Sequence, residues 1–353
     1  MRKKLIYILL SLILFASCEE YYTPAIETVE GQLVVEAMIT NDLSKNLVRL
    51  TRTTSFYGKL PAEAVPGAEV SLMEIGGKVI KATESNTGNF FFNSIPTAGK
   101  NYKLLIKLNN DSYESETVTM PPIPSITKFY TGYVEKKEYR TDGFGVPVPY
   151  TIVGSQLYLD APSSAEISNY RFSTRTIQEW NYNPPVPLGP PPPPPSHYWW
   201  LSYYDYGLFN IAGPKQFSQA GVIEKHPVVF LPYDSRSLLK SDTIVLGRII
   251  ILDQYGTSKG SYDFHEKLNS QFAATGSLLD PIQTQVYGNI TCVSDPSKTV
   301  FGYFDLNSYK QERFYIFLTG PSPNNSVVFR QIFRYPYIPD SGETVGFRPE
   351  WWE

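Results

Sequence analysis

The chain is poor in the residues that build metal and redox sites. Its 353 residues include 2 cysteines and 3 histidines. The histidines, His197, His226 and His265, are far apart in sequence and form no pair four positions apart. Because a structural zinc ion takes four cysteine or histidine ligands, the sequence predicts no zinc site.

Catalytic motifs are also missing. There is no phosphate loop, no G-x-S-x-G and no H-E-x-x-H. Asp305 and Asn307 begin a stretch like a calcium loop, but Lys310 stands where that loop needs glycine. We therefore predict no catalytic residue, no metal, no cofactor and no enzymatic activity. The alternative is a hydrolase whose acidic residues converge only in the folded chain.

Long apolar runs and basic clusters are absent too. The longest apolar run, residues 5–15, spans about half of a bilayer core at about 1.5 Å per residue, which is too short for a transmembrane helix. The net charge is −3 and no run of lysine or arginine follows the first residues. Such a chain is poorly suited to nucleic acid.

The first residues are typical of an export signal. Arg2, Lys3 and Lys4 precede the apolar run, which ends in Ala16-Ser17-Cys18. This resembles a bacterial lipoprotein box, with Phe15 where leucine is usual, and predicts a signal peptide over 1–17 and a lipidated tether over 18–28. Cys18 would carry two or three acyl chains, enough to anchor the protein in membrane lipid. The alternative is an ordinary signal peptide with an incidental cysteine.

The remaining cysteine has no partner for a disulfide. Once Cys18 is acylated, Cys292 is the only thiol left. It lies in a β-rich stretch, so we predict a small buried hydrophobic residue. Removal of 1–17 leaves 28 basic and 34 acidic residues, a net charge of −6.

Short β-patterned segments fill the chain from residue 29 onward. Turn residues recur every 8–12 positions up to a proline cluster at 121–124, which predicts an Ig-like β-sandwich over 29–122. Gly76-Gly77 predicts a hairpin turn. Residues 123–353 predict a second, β-rich sandwich-like domain, so the fold class is mainly all-β.

Two segments of the second half have distinctive patterns. Residues 249–252, I-I-I-L, do not alternate and predict a strand covered on both faces. A short helix is predicted over 261–274, capped by Ser261, with Phe264, Leu268 and Phe272 on its apolar face.

A proline-rich loop is predicted over 183–198, and aromatic residues follow it within 197–206. The functional interpretation is an exposed loop that offers an aromatic patch to a glycan or a peptide. The alternative is a variable surface loop whose aromatic side chains fold back onto the domain and pack on the prolines. The candidate binding residues are Tyr198, Trp199, Trp200, Tyr203 and Tyr204.

Several stretches together resemble one family. The sequences Y-D-F-H-E-K-L, L-L-D-P-I-Q-T-Q-V-Y-G-N-I and V-F-G-Y-F occur between residues 261 and 304, and L-V-V-E-A-M-I-T, P-G-A-E-V-S-L and T-M-P-P-I-P occur earlier. In this order they resemble the Bacteroidota lipoprotein family known as domain of unknown function 4249. Gly288 and Gly302, within these stretches, predict a tight backbone approach.

The resemblance implies a setting and no reaction. By this resemblance, we expect the protein to be an outer-membrane component that is exposed at the cell surface and accompanies a SusC-like TonB-dependent receptor. Glu19 and Glu20 resemble the export signal that sends such lipoproteins to the cell surface, the alternative being an ordinary solvated tether. We therefore expect a non-enzymatic accessory subunit that docks on such a barrel, or alternatively a lipoprotein that captures glycan or peptide through 197–206.

Overall fold

The computed structural model describes residues 31–54, 61–164, 166–182, 195–205, 207–214, 222–232, 243–273, 285–318, 327–332 and 337–352. Strands dominate these ranges, and one α-helix accompanies them. The predicted fold class, mainly all-β and of sandwich type, is confirmed.

The strands are numbered here in chain order. The first half contains β1 (Leu33–Ile39), β2 (Leu47–Arg52), β3 (Glu63–Ala64), β4 (Glu69–Glu74), β5 (Val79–Lys81), β6 (Thr83–Asn86), β7 (Asn89–Phe91), β8 (Asn101–Leu108), β9 (Asp111–Ser115) and β10 (Val118–Thr119). The second half contains β11 (Lys128–Thr141), β12 (Pro147–Pro162), β13 (Asn169–Tyr182), β14 (His197–Tyr204), β15 (Asn210–Ala212), β16 (Val222–Pro232), β17 (Thr243–Thr257), α1 (Lys259–Ala273), β18 (Ile290–Cys292), β19 (Val300–Leu306), β20 (Ser308–Leu318), β21 (Val327–Ile332) and β22 (Ser341–Val345). Single 3-10 turns lie at Leu43–Lys45 and Glu350–Trp352.

Two sheets form the first sandwich. Sheet 1 has the order β19-β1-β2-β7-β6 with β3 beside β2, and sheet 2 has the order β18-β9-β8-β4-β5 with β10 beside β8. Side chains alternate in and out along β8, as they must on a pleated strand with one covered face. The inward residues of both sheets, such as Val35, Leu50, Leu104 and Ile106, form one continuous core. The predicted turn at Gly76-Gly77 joins β4 to β5, with Gly76 at a φ of 75°.

Strand pairing crosses the predicted boundary at residue 122. β18 pairs with β9, and β19 pairs with β1 in parallel, from Leu33↔Val300 to Ile39↔Leu306. Two strands from the far side of the boundary therefore complete the first sandwich, and a division into 29–122 and 123–353 does not describe the sheets. A proline cluster interrupts strand pairing locally, but it does not determine which later strand pairs with the edge of the sheet.

The second sandwich is built from sheet 3, β11-β12-β16, and sheet 4, β21-β20-β17-β13-β14-β22 with β15 beside β13. Leu157 and Leu231 of sheet 3 pack against Ile250 and Leu252 of sheet 4. Ile249 and Ile251 point to the opposite face, where the segment with Ile338 and Trp352 covers them. The prediction that 249–252 is covered on both faces is confirmed.

The helix begins two residues earlier than predicted. Ser258, not Ser261, caps it, because the Ser258 hydroxyl accepts the backbone N–H of Ser261 at 3.1 Å. The predicted apolar face is wrong at Phe272, which is 69% exposed. The buried face carries Ser261 and His265, which are held by polar contacts. No helix among the described residues is long and apolar enough to span a membrane.

Candidate functional site

The aromatic run lies in a strand, so the prediction of a loop over 197–204 is wrong. β14 pairs on one side with β13, where Trp180 faces Trp199, and on the other with β22, where Trp199 faces Glu343. Tryptophan and tyrosine favour strands because their rings pack well on a pleated surface. This strand propensity of the aromatic residues could have predicted β14. The prolines before them are typical of loops and favoured the wrong prediction.

Side chains alternate along β14, so Tyr198, Trp200 and Tyr204 lie on one face and Trp199 and Tyr203 on the other. Trp200 is buried and meets Trp351 edge to face at 5.1 Å. Tyr198 lies on the same face, 5.8 Å from the guanidinium carbon of Arg348. Trp199 stacks on Trp180 at 6.4 Å. These three rings pack within the protein. The packing on prolines that the alternative interpretation expected involves residues 190–194, which lie outside the described residues.

Tyr203 opens onto a cleft of about 650 Å³ between sheets 3 and 4, and Tyr204 lies at the edge of this cleft. Tyr203 is 45% exposed, and Tyr204 donates to Asp340 at 2.6 Å. One wall is β16, from Pro227 to Pro232, and the other is the inward face of β13 and β17. This cleft is a candidate site because predicted binding residues line it.

Arg248 lies at the floor of the cleft and is 3% exposed. Its Nη2 donates to the carbonyl oxygen of Pro232 at 2.8 Å. Its Nε and Nη1 have no hydrogen-bond acceptor among the described residues. Burial lowers the pKa of the guanidinium to about 10, while Tyr203 favours the charged form. The side chain therefore stays cationic at neutral pH, in a place that offers it one acceptor.

A row of neutral polar side chains lies beside Arg248. Thr174, Thr176 and Gln178 follow each other on the cleft face of β13, and Gln156 lies opposite on β12. Gln178 is the direct cross-strand neighbour of Arg248. Its Nε2 is buried and has no acceptor in the described part of the chain. The cleft thus holds an amide N–H group without an acceptor close to a guanidinium without a carboxylate partner.

An aromatic wall faces this row. The ring of Phe230 lies across Gly154, where a Cβ atom would come within 2.6 Å of it. Lys136 places its Nζ 4.1 Å from the centre of the same ring. Gly154 thus lets Phe230 and Lys136 form the rim of the cleft on the side of sheet 3.

A second exposed feature is the outer half of the hairpin β11–β12. β16 pairs with β12 only from Gly154 to Pro162, so residues 135–153, here called the arm, pair only with each other among the described strands. At about 3.4 Å per residue the arm projects about 24 Å. Its exposed apolar side chains, Tyr139, Phe144, Val146 and Val148, include Phe144 at 94%.

The tip of the arm is an ordered turn. The Asp142 carboxylate accepts the N–H groups of Phe144 at 2.8 Å and Val146 at 2.9 Å. Gly145 takes a φ of 82°, a conformation that suits glycine. Phe144 is therefore presented to solvent by a turn that its own neighbours hold in place.

Ser261, His265 and Asp305 are the residue types of a nucleophilic triad, but they are connected differently. Ser261 Oγ donates directly to Asp305 at 2.6 Å, and His265 Nδ1 lies 2.8 Å from the carbonyl oxygen of Ser261. His265 Nε2 faces Arg171 at 2.9 Å. In a triad the imidazole would stand between the hydroxyl and the acid. All three are buried, and the cluster holds α1 against β13 and β19.

The other predicted sites have separate outcomes. Cys18, Glu19, Glu20 and most of the proline-rich loop, residues 183–194, lie outside the described residues. Cys292 is buried in the first core, as predicted. Within the described ranges, no three His, Cys, Asp or Glu side chains are grouped so that they could hold a metal ion.

Tyr203 and Tyr204, two of the predicted candidates, line the cleft, whereas no sequence prediction pointed to Arg248, Gln178 or the arm. A single arginine beside the apolar residues 249–252 was the available signal, since a charge next to a doubly covered strand must itself be buried. The signal for the arm was Glu135 to Glu138, four consecutive charged residues that do not alternate as in a strand with one covered face.

The fold and the site therefore define a β-sandwich protein with an open cleft and a projecting hairpin. The chain matches the family described as domain of unknown function (DUF4249) over residues 19–313. This protein belongs to that family. No curated protein and no solved structure matches the chain.

Proposed function

We propose that the protein is a non-enzymatic outer-membrane lipoprotein. In this proposal acylated Cys18 anchors it at the cell surface, with Glu19 and Glu20 as export signal. It serves as an accessory subunit that docks on a SusC-like TonB-dependent receptor or a related outer-membrane assembly. No nucleic acid and no cofactor enters this function.

The arm is the observation that supports docking. Among the described strands, none pairs with the arm as a third strand. A two-stranded ribbon is marginal on its own in water, yet this one presents four exposed apolar side chains. Its charges balance, with Lys136, Lys137 and Arg140 against Glu135, Glu138 and Asp142. A neutral, partly apolar projection suits the desolvated centre of a protein interface better than an anionic lipid surface.

Site-specific crosslinking tests the docking. A photo-reactive phenylalanine analogue in place of Phe144 should crosslink to an integral outer-membrane barrel in native membranes. The same analogue in place of Ile95, which is 49% exposed on the first sandwich, is the matched control. Phe144→Ser with Val146→Ser should release the protein from the complex in mild detergent, whereas Ile95→Ser should not.

The opposing outcomes are equally definite. Recovery as a monomer in several detergents, with no crosslink at 144, would refute docking through the arm. Crosslinks to lipid alone would show that the arm contacts the membrane instead. Mass spectrometry of the mature N-terminus checks the anchor separately, because an unacylated Cys18 would remove the location on which docking depends.

The cleft supports a second candidate function, the capture of a soluble glycan or peptide ligand. Tyr203 and Tyr204 belong to the predicted binding residues and line a cavity with unused donors. Trp200 is unsuitable for a binding test, since it is a core residue whose removal would destabilise sheet 4. Tyr203→Ala is the suitable variant, with Tyr139→Ala, another exposed tyrosine, as control.

Capture predicts that an added ligand changes the fluorescence of Trp180, which lines the cleft. Tyr203→Ala should abolish the change and Tyr139→Ala should preserve it. If neither a glycan array nor a peptide library gives binding to the wild-type protein, capture in the cleft is wrong.

A further inference from the structure

Arg248 differs from the two arginines of the neighbouring strand β13, which are each paired with a carboxylate. Arg171 lies 3.3 Å from Asp305, and Arg175 lies 3.0 Å from Asp340. Arg248 is more deeply buried than either, yet no carboxylate pairs with it among the described residues. An unpaired buried charge is costly, so proteins rarely keep one unless an anion arrives from outside.

The charges around the cleft favour one anionic group. Arg248 at the floor and Lys136 at the rim are positive, and Asp205 is the single acid among the described lining residues. A phosphate dianion commonly uses helix N-termini or several basic side chains. The lining here has one deep guanidinium, which suits a single planar carboxylate.

The neutral lining favours a ligand with hydroxyl groups. Thr174, Thr176, Gln156 and Gln178 offer side-chain hydroxyls and amides that both donate and accept. Tyr203, 45% exposed, and Phe230 supply apolar ring surface on two sides. Aromatic rings can pack against the C–H groups of a sugar ring, and amides and hydroxyls can form hydrogen bonds with its O–H groups. The lining therefore matches both kinds of surface that a sugar ring has.

The edge of β16 disfavours a peptide. An extended peptide binds a strand edge through backbone N–H and C=O groups. Pro227 and Pro232 have no N–H to offer. The Asn210 side chain occupies the carbonyl oxygens of Pro227 and Val228 at 3.0 Å each, and Arg248 occupies that of Pro232. A peptide strand would find few backbone partners along this wall.

We propose that the cleft binds a saccharide that contains a uronic acid, with its carboxylate on Arg248 and its sugar face against Tyr203. The inference rests on the proposed capture function and names the class of ligand. Gln178 would then donate its free N–H to the same residue of the ligand. Lys136 at the rim would attract the carboxylate of the ligand from solvent, whereas the buried contact with that carboxylate would be made by Arg248.

Calorimetry with galacturonate oligosaccharides provides the test. The wild-type protein should bind the trisaccharide at least 10-fold more tightly than its methyl ester or a neutral galactose trisaccharide. Arg248→Met should remove this preference without lowering the melting temperature, since it deletes an unpaired buried charge. Arg49→Met, at an arginine half-exposed on sheet 1, is the matched control and should bind like wild type.

Each other outcome has a distinct meaning. Equal binding of acid, ester and neutral sugar would refute the carboxylate contact and leave capture standing. Binding only of peptides with a free C-terminal carboxylate, and not of their amides, would keep Arg248 but refute the saccharide. No binding of any of these probes at millimolar concentration would refute the inference, while the wider glycan and peptide screens decide capture itself. The comparison of acid with ester needs no variant, so it holds even if Arg248→Met fails to fold.

Discussion

The guanidinium of Arg171 lies 3.3 Å from the carboxylate of Asp305, and this contact joins the two sandwiches. Arg171 belongs to β13 of sheet 4, whereas Asp305 belongs to β19 of sheet 1. The same guanidinium meets Nε2 of His265 and lies 4.8 Å from the ring of Tyr255. One buried polar cluster therefore links sheet 1, α1 and sheet 4.

We expect Asp305→Asn to destabilise the protein by about 3 kcal/mol, because removal of one partner leaves a buried charge unpaired. Urea unfolding measures the change. The control is Glu36→Gln, whose partner Arg49 lies 3.5 Å away in an exposed pair; it should change stability by less than about 1 kcal/mol. Equal effects of the two substitutions would show that the Arg171 contact does not hold the sandwiches together.

The outcome for this cluster shows what sequence patterns can and cannot predict. The burial of Ile249 to Leu252 on both faces of the sheet was predictable, because an apolar run without alternation is typical of a strand that is covered on both sides. Asp305 and Arg171 were not, since their pairing depends on β19 crossing back to β1, a contact between residues more than 260 positions apart. The same holds for Arg248, whose cleft is lined by residues of six strands, β11, β12, β13, β14, β16 and β17, that are spread along the chain.

His265 should make the protein less stable in mild acid. Burial, followed by the neighbouring Arg171, lowers the pKa of its imidazole, while Asp305 opposes them. A lowered folded-state pKa means that the unfolded chain binds the proton first. The stability that neutral His265 contributes is therefore complete above about pH 6.5 and is lost as the pH falls below it.

Unfolding in urea at pH 7.5 and 5.5 measures this effect. The stability advantage of wild type over His265→Gln should shrink at pH 5.5, because only the wild-type side chain gains a charge beside Arg171. His197→Gln, at a half-exposed histidine on β14, serves as control for general acid effects. An advantage that grew in acid would mean that His265 is protonated and paired with Asp305.

Gly288 and Gly302 should tolerate no larger side chain. A Cβ at Gly288 would lie 1.6 Å from the carbonyl oxygen of Gly302, and one at Gly302 would lie 2.0 Å from that of Val35. Gly302 also has a φ of 90°. The predicted tight backbone approach is confirmed. Backbone must shift in either alanine variant, so we expect losses of at least about 2 kcal/mol.

Gly143→Ala is the matched control, since nothing lies within 4 Å of a Cβ there and its φ is not positive. It should change the free energy of unfolding by no more than about 0.5 kcal/mol. If Gly288→Ala were as stable as Gly143→Ala, the close approach of β19 to the preceding segment would be refuted.

Glu179 should produce the opposite pH dependence. Its side chain is 1% exposed, and Arg348 lies 3.4 Å from Oε2. Neither carboxyl oxygen has a hydrogen bond among the described residues. Burial raises the pKa of this carboxyl to about 7, against the opposing charge of Arg348. The folded protein thus holds a proton that the unfolded chain releases near pH 4.5.

Because the folded-state pKa is raised, the contribution of Glu179 to stability is fully present below about pH 4.5 and is lost as the pH rises through about 7. Glu179→Gln cannot ionise, so it should exceed wild type in stability at pH 8 by at most about 3 kcal/mol and match it at pH 5. Glu343→Gln, in an exposed pair with His197, should show no such difference. A Glu179→Gln variant less stable than wild type at pH 8 would instead mean that the buried carboxylate is ionised and stabilised by Arg348.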